Sequence, residues 1–384
     1  MKSIAILPLR KGSKGIPGKN KKKLLGRPLY QWVLGEAIFS KLDSIYVYTD
    51  DDEIIKSIQT NYSWTPKVKV WERSIESATD TASTEFGMYE LAEGINFDFS
   101  TYSLLQATSP LTTYADIDKS LEKIISGEAD SALSVVKTKR FIWNEDGTPA
   151  NYDFYKRPRR QDFDGLRIEN GAVYSINCEF YKESKNRLAG KVALIEMEED
   201  SLIEIDELAD WHIVEQVLIN RLKRNKKFKK IRGLVLDVDG VFTNGNVWVS
   251  DNGELAKSFS FRDGMGFELA REHGIETIVM TSENSAAVDR RMEKLKINNY
   301  YKGVKDKYSL LTKVCQDLNL DRSELAYIGD DINDLACMLS VGWGMTPRNA
   351  VNQLKQHADI VLHANGGDKA IREGIEFIIK LNNY

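Results

Sequence analysis

Cysteine is scarce in this 384-residue chain. Cys178, Cys315 and Cys337 stand far apart, suggest no disulfide framework and have no metal-ligand spacing, which fits a reducing, cytoplasmic compartment. Histidine is equally sparse: His212, His273, His357 and His363 are scattered, none at metal spacing from another. Apolar runs do not exceed strand length, so no membrane-spanning segment is expected. The start, Met1-Lys-Ser-Ile-Ala-Ile-Leu-Pro, lacks the apolar core and small-residue cleavage site of a secretory signal. An excess of positive charge is missing too. A formal net charge of −4 does not supply the broad basic surface that general nucleic-acid binding needs.

What is present suffices for more than one core: 42% of residues are hydrophobic, and about 100–200 residues per domain predicts two or three domains. Short β-branched runs alternate with amphipathic segments. Strands are expected at Ser3–Leu9, Ser44–Thr49, Tyr102–Gln106 and Ser131–Val136, and helices at Leu29–Phe39, Thr81–Glu93 and Ile117–Ile125. The alternation restarts with Leu234–Leu236, Thr277–Met280, Ala326–Ile328 and Ile360–Leu362. This is an α/β pattern of parallel sheets covered by helices. The run RLKRNKKFKKIR, Arg221 to Arg232, reads as a solvated helix end and linker. It places the cut between a domain at 1–227 and one at 228–384.

The strand Ile4–Leu9 opens into Arg10-Lys-Gly-Ser-Lys-Gly-Ile-Pro-Gly-Lys-Asn20. Glycines let a backbone turn tightly and bring N–H groups close to phosphate, and the cations neutralise it. It is not a Walker A loop: Ser13 stands where the first Gly belongs, and Asn20 follows Lys19. Further blocks follow in order: Tyr48-Thr-Asp-Asp-Asp52, Arg73 with Asp80-Thr-Ala-Ser-Thr84, Leu105-Gln-Ala-Thr-Ser-Pro-Leu111, Arg159-Arg-Gln-Asp162, Asn170-Gly-Ala-Val-Tyr174 and Ile203-Glu-Ile-Asp206. Together with the loop they resemble the sugar-activating cytidylyltransferases, the acylneuraminate group in particular, over about residues 1–220. The resemblance implies a nucleotide-diphospho-sugar transferase-like, Rossmann-type sheet. By position, Arg10, Lys19 and Asn20 meet the CTP phosphates and ribose, with Lys19 catalytic. Arg73, Ala82 and Thr84 line the cytosine pocket. Gln106 faces the sugar acid, Arg167 pairs with its carboxylate, and Asp206 with Glu204 holds Mg²⁺. This chain departs from the family where Glu204 replaces an Asp, Ala107 a common Pro and Thr112 a common Arg. Asp50, Asp51 and Asp52 read as helix-capping acids rather than metal ligands.

The second half opens with Leu234-Val-Leu-Asp-Val-Asp-Gly-Val-Phe-Thr243, two carboxylates at a strand end. Thr281, Lys307 in Gly303-Val-Lys-Asp-Lys307, and Gly329-Asp-Asp-Ile-Asn-Asp334 follow. The set resembles the haloacid dehalogenase superfamily over about residues 230–375. The resemblance implies a Rossmannoid phosphatase. Asp237 is its nucleophile and Asp239 its acid/base. Thr281 and Lys307 hold the phosphoryl oxygens. Mg²⁺ is held by Asp237, Asp239 through its backbone carbonyl, and Asp330, with Asp331 and Asp334 orienting ligands. The short hairpin-like insert Val247–Phe261 leaves no room for a large cap, which resembles the 3-deoxy-octulosonate-8-phosphate phosphatase branch, typically tetrameric. Arg262 and Arg372 of the Gly366-Gly-Asp-Lys tail are then near a sugar or a neighbouring chain. Where that branch usually reads Gly-Arg after the threonine, this chain has Ser282-Glu283. With Lys294 further on, Glu283 reads as tuning toward a nine-carbon acid phosphate, since like charges repel.

Together these readings imply CTP and a nine-carbon sugar acid (N-acetylneuraminate or Kdn), or its 9-phosphate, as substrates. They imply Mg²⁺ at two sites and a homo-oligomer, a tetramer through the second domain with a dimer through the first also allowed. No nucleic acid or membrane is implied. Kdo, legionaminate or pseudaminate as substrate, and a second domain serving only to oligomerise, are the alternatives.

Overall fold

The computed structural model describes residues 2–12, 15–79, 81–224, 226, 229–251 and 253–383. The chain forms two compact units. One takes residues 1–22 and 28–214, the other residues 23–27 and 215–384. The division falls inside helix Leu208–Arg224. The expected boundary residues, Lys227 and Phe228, lie outside the described residues, as do Ser13, Lys14 and Asp80 of the motif blocks.

The first unit is built on a seven-stranded sheet. Its strands lie in the order Val68–Glu72, Ser44–Thr49, Ser3–Leu9, Thr101–Leu105, Leu166–Asn177, Ser131–Thr138 and Val192–Met197. Alternation along Ser3–Leu9 sends Ala5, Leu7 and Leu9 into one apolar cluster and Ile4 and Ile6 into another, so both faces are covered. The all-parallel expectation needs correction. Leu166–Asn177 pairs antiparallel with both neighbours, Thr101–Leu105 and Ser131–Thr138. Its first four residues, Leu166–Glu169, are mostly exposed, so no buried β-branched run announces its start. The strand order reverses around Ser3–Leu9, which has Ser44–Thr49 on one side and Thr101–Leu105 on the other. The C-terminal ends of such strands leave a crevice for ligand.

The second unit holds a six-stranded parallel sheet. The order is Asn299–Tyr301, Glu276–Met280, Gly233–Leu236, Leu325–Ile328, Trp343–Thr346 and Ile360–Val361. The predicted insert is a separate antiparallel hairpin, Trp248–Ser250 with Gly253–Ala256. The basic run is more than a solvated face. Lys226 pairs with Asp359, Lys229 with Asp321 at 3.4 Å and Arg232 with Glu324 at 3.4 Å. Among the described residues, no helix is long and apolar enough to cross a membrane.

Candidate functional sites

In the first unit, a cleft of about 530 Å³ opens at the ends of the central strands. It gathers Arg10, Lys19 and Asn20 from the Gly/Lys loop, Arg73, Ala82 and Thr84, Gln106, and Asp206. Arg10 and Gln106 each directly follow a central strand, which is why residues so far apart in sequence share this edge. Ser83 caps helix Thr84–Gly94 by accepting from the Phe86 N–H, so the helix starts later than the periodicity suggests and Ala82 stays in the cleft wall. Asn20 ties the loop back on itself, donating from Nδ2 to the Arg10 carbonyl at 3.1 Å. A Cβ on Gly15 would lie 2.3 Å from the Asp206 carbonyl oxygen, so only glycine lets the loop approach the bend before helix Leu208–Arg224.

Two cations face the cleft differently. Lys19 Nζ donates to Asp206 Oδ1 at 3.0 Å and to the Ile205 carbonyl at 2.8 Å. The Arg73 guanidinium lies 5.0 Å from the centre of the Tyr48 ring and donates to the Ser77 carbonyl. Its Nε is buried without a hydrogen-bond partner among the described residues. An unmet buried donor costs about 1–3 kcal/mol, which an acceptor on a bound base would offset. Burial pushes the Tyr48 phenol up to about 12, so it stays neutral.

Glu204 is placed one step behind the cleft. Thr108 Oγ1 donates to Glu204 Oε2 at 3.5 Å, and a Cβ on Gly171 would lie 2.1 Å from Glu204 Oε1. Asn170 secures that corner by donating from Nδ2 to the Ser201 carbonyl at 3.0 Å. Burial, then the Asp206 charge, raises the Glu204 carboxyl above its ordinary range. Arg167 does not line the cleft. It faces Glu196 at 3.8 Å, opposite Lys137 in the strand register.

In the second unit, three neighbouring strands end at one point: Asp237 follows Leu236, Thr281 follows Met280, and Asp330 stands two residues after Ile328. Oxygens of Asp237, Asp330 and Asp334 lie within 4.8 Å of one another. Lys307, its side chain 1% exposed, sits 2.8 Å from both Asp237 and Asp334. Tyr327 donates to Asp334 Oδ1 at 2.7 Å, and the Asp330 N–H to Asp334 Oδ2 at 3.1 Å. Asp334 therefore aims Lys307 as well as closing the turn. One ammonium cannot serve three crowded carboxylates, two of them buried and Asp330 half-buried. Burial, helped by Asp334, pushes Asp237 up to about 7 against the pull of Lys307. Burial, then Asp334 and Asp237, pushes Asp330 to about 8. Burial opposes charge on Lys307, but the two carboxylates outweigh it and hold the ammonium on. Three oxygen donors short of positive charge fit a hard divalent cation.

Asp239 stands apart from that cluster. Lys257 Nζ, on a side chain 5% exposed, donates to Asp239 Oδ1 at 2.7 Å, and Thr243 Oγ1 lies 3.4 Å from the same oxygen. Lys257 belongs to no motif and went unread in the sequence.

A cytidylyltransferase family model matches residues 4–232, and a haloacid dehalogenase-like hydrolase model matches residues 283–373. The chain belongs to the cytidylyltransferase family. Its second half carries a haloacid dehalogenase-like hydrolase domain. The chain is 34% identical to an N-acylneuraminate cytidylyltransferase of Oncorhynchus mykiss over 98% of its own length and 88% of that protein. Over 40% of its length it is 34% identical to a 3-deoxy-D-manno-octulosonate 8-phosphate phosphatase of Salmonella typhi, covering 81% of that protein. A solved phosphatase of the same name from Moraxella catarrhalis, in complex with magnesium ion, phosphate ion and a KDO molecule, is 32% identical over 43% of this chain and 93% of that one, with a TM-score of 0.40.

The remaining residues expected to face a sugar lie in the second unit of this cytidylyltransferase. Thr281 is buried, and its Oγ1 accepts from the Glu283 N–H at 3.3 Å, which sets the exposed Glu283 beside the strand end. Lys294 is exposed near the end of helix Ala286–Leu295. Arg262 lines a separate groove with Lys369 and Arg372, and Arg372 there pairs with Glu376 at 2.6 Å.

Proposed function

We propose that the first unit transfers CMP from CTP to an acylneuraminate, and that the second hydrolyses an acylneuraminate 9-phosphate. The observation that carries the first half is the cleft: its phosphate-type cations, its buried unmet Arg73 donor and its exposed Asp206 share one wall. The anomeric hydroxyl attacks the α-phosphorus, the bond to pyrophosphate breaks, and the hydroxyl proton passes to water. Arg10 and Lys19 counter the charge growing on the phosphate oxygens. Arg73 and the Ala82–Thr84 turn hold the base, and Gln106 faces the sugar acid. Asp206, with Glu204 behind it, would hold Mg²⁺.

In the second unit, an Asp237 oxygen attacks phosphorus while the bond to the sugar oxygen breaks. Asp239 gives that oxygen a proton, leaving an aspartyl-phosphate. Asp239 then takes a proton from water, which attacks phosphorus and frees Asp237 and inorganic phosphate. Thr281 and Lys307 hold the phosphoryl oxygens. Asp237, Asp330 and the Asp239 backbone carbonyl would hold Mg²⁺, which screens carboxylate from phosphate when bound. The nine-carbon substrate is supported by Glu283, an anion beside the strand end.

A homo-oligomer in the cytoplasm completes the proposal. It is supported by the exposed apolar side chains of Trp248, Val249, Leu255 and Phe261 on and beside the hairpin, and by three free, buried cysteines. The test is pyrophosphate release from CTP with a panel of nonulosonic acids, beside phosphate release from sugar-acid phosphates by wild type and Asp237→Asn. No turnover of any acid overturns the first half. Equal, negligible phosphate release by both proteins leaves the second unit as an oligomerisation module.

A further inference from the structure

The segment Lys23–Arg27 belongs to the second unit although it follows the Gly/Lys loop in sequence. None of the chemistry above uses it. Arg27 is 3% exposed. Its guanidinium grips Asp306 with two parallel bonds, Nε to Oδ1 at 2.9 Å and Nη2 to Oδ2 at 3.0 Å. Nη2 also reaches Ser309 Oγ at 3.1 Å, and the guanidinium lies over the Tyr308 ring, 4.6 Å from its centre. Asp306 is buried as well, and caps helix Lys307–Asp317 by accepting from the Ser309 N–H. The first residue of that helix is Lys307.

The neighbouring glycine makes the second contact. Gly26 has a φ of +82°, and a Cβ there would lie 1.9 Å from the Ile332 carbonyl oxygen. Ile332 opens the turn Ile332–Asp334, between Asp330 and Asp334. A single tight segment thus touches both elements that bring Lys307, Asp330 and Asp334 to Asp237.

A buried ion pair adds little net stability over an apolar pair of equal volume, so fold stability alone does not account for it. Its two parallel bonds fix direction, which a lysine or an apolar side chain cannot do. Without Arg27, moreover, Asp306 is a buried carboxylate deprived of that cation, one residue from Lys307.

We propose that Arg27 is a positioning residue of the phosphoryl site, holding Asp306 and with it the start of the Lys307 helix, while Gly26 sets the turn between Asp330 and Asp334. This rests on the reading of the second unit as a magnesium-dependent phosphatase.

The test uses the full chain with Arg27→Met, Arg27→Lys, Asp306→Asn and the double variant Arg27→Met/Asp306→Asn. Kinetics are read as phosphate release from acylneuraminate 9-phosphate. Mg²⁺ alone is titrated calorimetrically in an Asp206→Asn background, so that only the second unit contributes. Partners that orient a metal site are worth about 10- to 100-fold in affinity or activity. Arg27→Met is therefore expected to lower kcat and weaken Mg²⁺ binding within that range, with KM within about twofold and cytidylyl transfer unchanged. The double variant, which leaves no orphan charge, regains the melting temperature of wild type but not its kcat. Arg27→Lys falls between.

A folded Arg27→Met with wild-type kcat and Mg²⁺ affinity overturns the proposal, as does a double variant that regains kcat together with its melting temperature. If Arg27→Met does not fold, the double variant and Asp306→Asn decide in the same way. Should wild type release no phosphate, the phosphatase reading fails, and the Mg²⁺ titration still decides the role of Arg27. A wild type that neither releases phosphate nor binds Mg²⁺ in that background overturns both.

Discussion

Lys19 Nζ meets Asp206 Oδ1 at 3.0 Å, a cation of the Gly/Lys loop set against the acid that closes the same cleft. The lysine side chain is 14% exposed and the aspartate 72%, so water screens the pair and it is worth about 0–1 kcal/mol to the fold. In the proposed reaction its value lies in chemistry. Lys19→Met is expected to leave the melting temperature within a few degrees of wild type. It should lower kcat/KM for CTP by about 100-fold, the loss expected for one preorganised charge at a reacting phosphate. Steady-state pyrophosphate release and a thermal melt check this, with phosphate release from the second unit as the unaffected control.

Lys307 presents the opposite case. Its ammonium is buried between Asp237 and Asp334 at 2.8 Å from each. Breaking a buried pair by removing one partner costs about 3–5 kcal/mol, because the other charges stay behind. Lys307→Met should lose phosphatase activity and also melt earlier in EDTA. Added Mg²⁺ should recover part of that melting loss, since it supplies charge to the same carboxylates. A metal-free melting temperature equal to wild type would contradict the charge count drawn here.

The difference between these two lysines bears on what the chain reveals before it is folded. Parallel strands such as Ser3–Leu9 and Ser44–Thr49 are plain because burial on both faces demands a near-continuous apolar run. The acids after strand ends are plain for a related reason: a charge directly after such a run must sit at the sheet's edge. Lys257 carries no such signal. It directly follows the exposed hairpin strand Gly253–Ala256, and only the folded chain brings its ammonium to Asp239. Arg27 is hidden more deeply, since its partner Asp306 is 279 positions away, and nothing in the Gly303–Lys307 block that holds Asp306 points to it. Spacing along the chain reports local geometry, and these pairs are made by topology alone.

Crowded carboxylates give the second unit a predictable pH response. Asp237 and Asp330 rise from 3.8 to about 7 and about 8, so the metal-free fold holds their protons more tightly than the unfolded chain. A raised carboxyl contributes stability that is fully present below its unfolded value and is lost as pH rises through the folded one. The metal-free protein should therefore lose melting temperature between about pH 4 and pH 8. Mg²⁺ competes with those protons, so its stabilising shift should be larger at about pH 8.5 than at about pH 6, with proton release on binding at the lower pH. Thermal melts with EDTA or Mg²⁺ across that range check the sign. A shift that shrinks as pH rises would contradict it.

Lys257 makes a separate prediction. At 2.7 Å it fixes the Asp239 carboxylate, the proposed acid and base of the phosphoryl transfer. General acid–base groups contribute about 10²–10⁴-fold, and a misdirected one loses part of this. Lys257→Met should slow phosphate release by about tenfold or more and alter the pH–rate profile, while Mg²⁺ affinity stays close to wild type because Lys257 touches the Asp239 side chain and not the groups proposed to hold the ion, Asp237, Asp330 and the Asp239 carbonyl. A pH profile superimposable on wild type would show that the lysine only packs the hairpin.

Glu283 bears on substrate choice. Its N–H donates to Thr281 Oγ1 at 3.3 Å, so whatever occupies this position stands next to the threonine proposed to bind the phosphoryl group. An anion there repels a short sugar acid whose carboxylate reaches that far, and an arginine attracts it. Glu283→Arg should therefore move the kcat/KM ratio toward an eight-carbon acid 8-phosphate and away from a nine-carbon acid 9-phosphate, by about tenfold for each 1.4 kcal/mol of charge preference. The two sugar phosphates assayed side by side give the answer. An unchanged ratio would mean that Glu283 faces solvent throughout the reaction, and that the chain reads its substrate elsewhere.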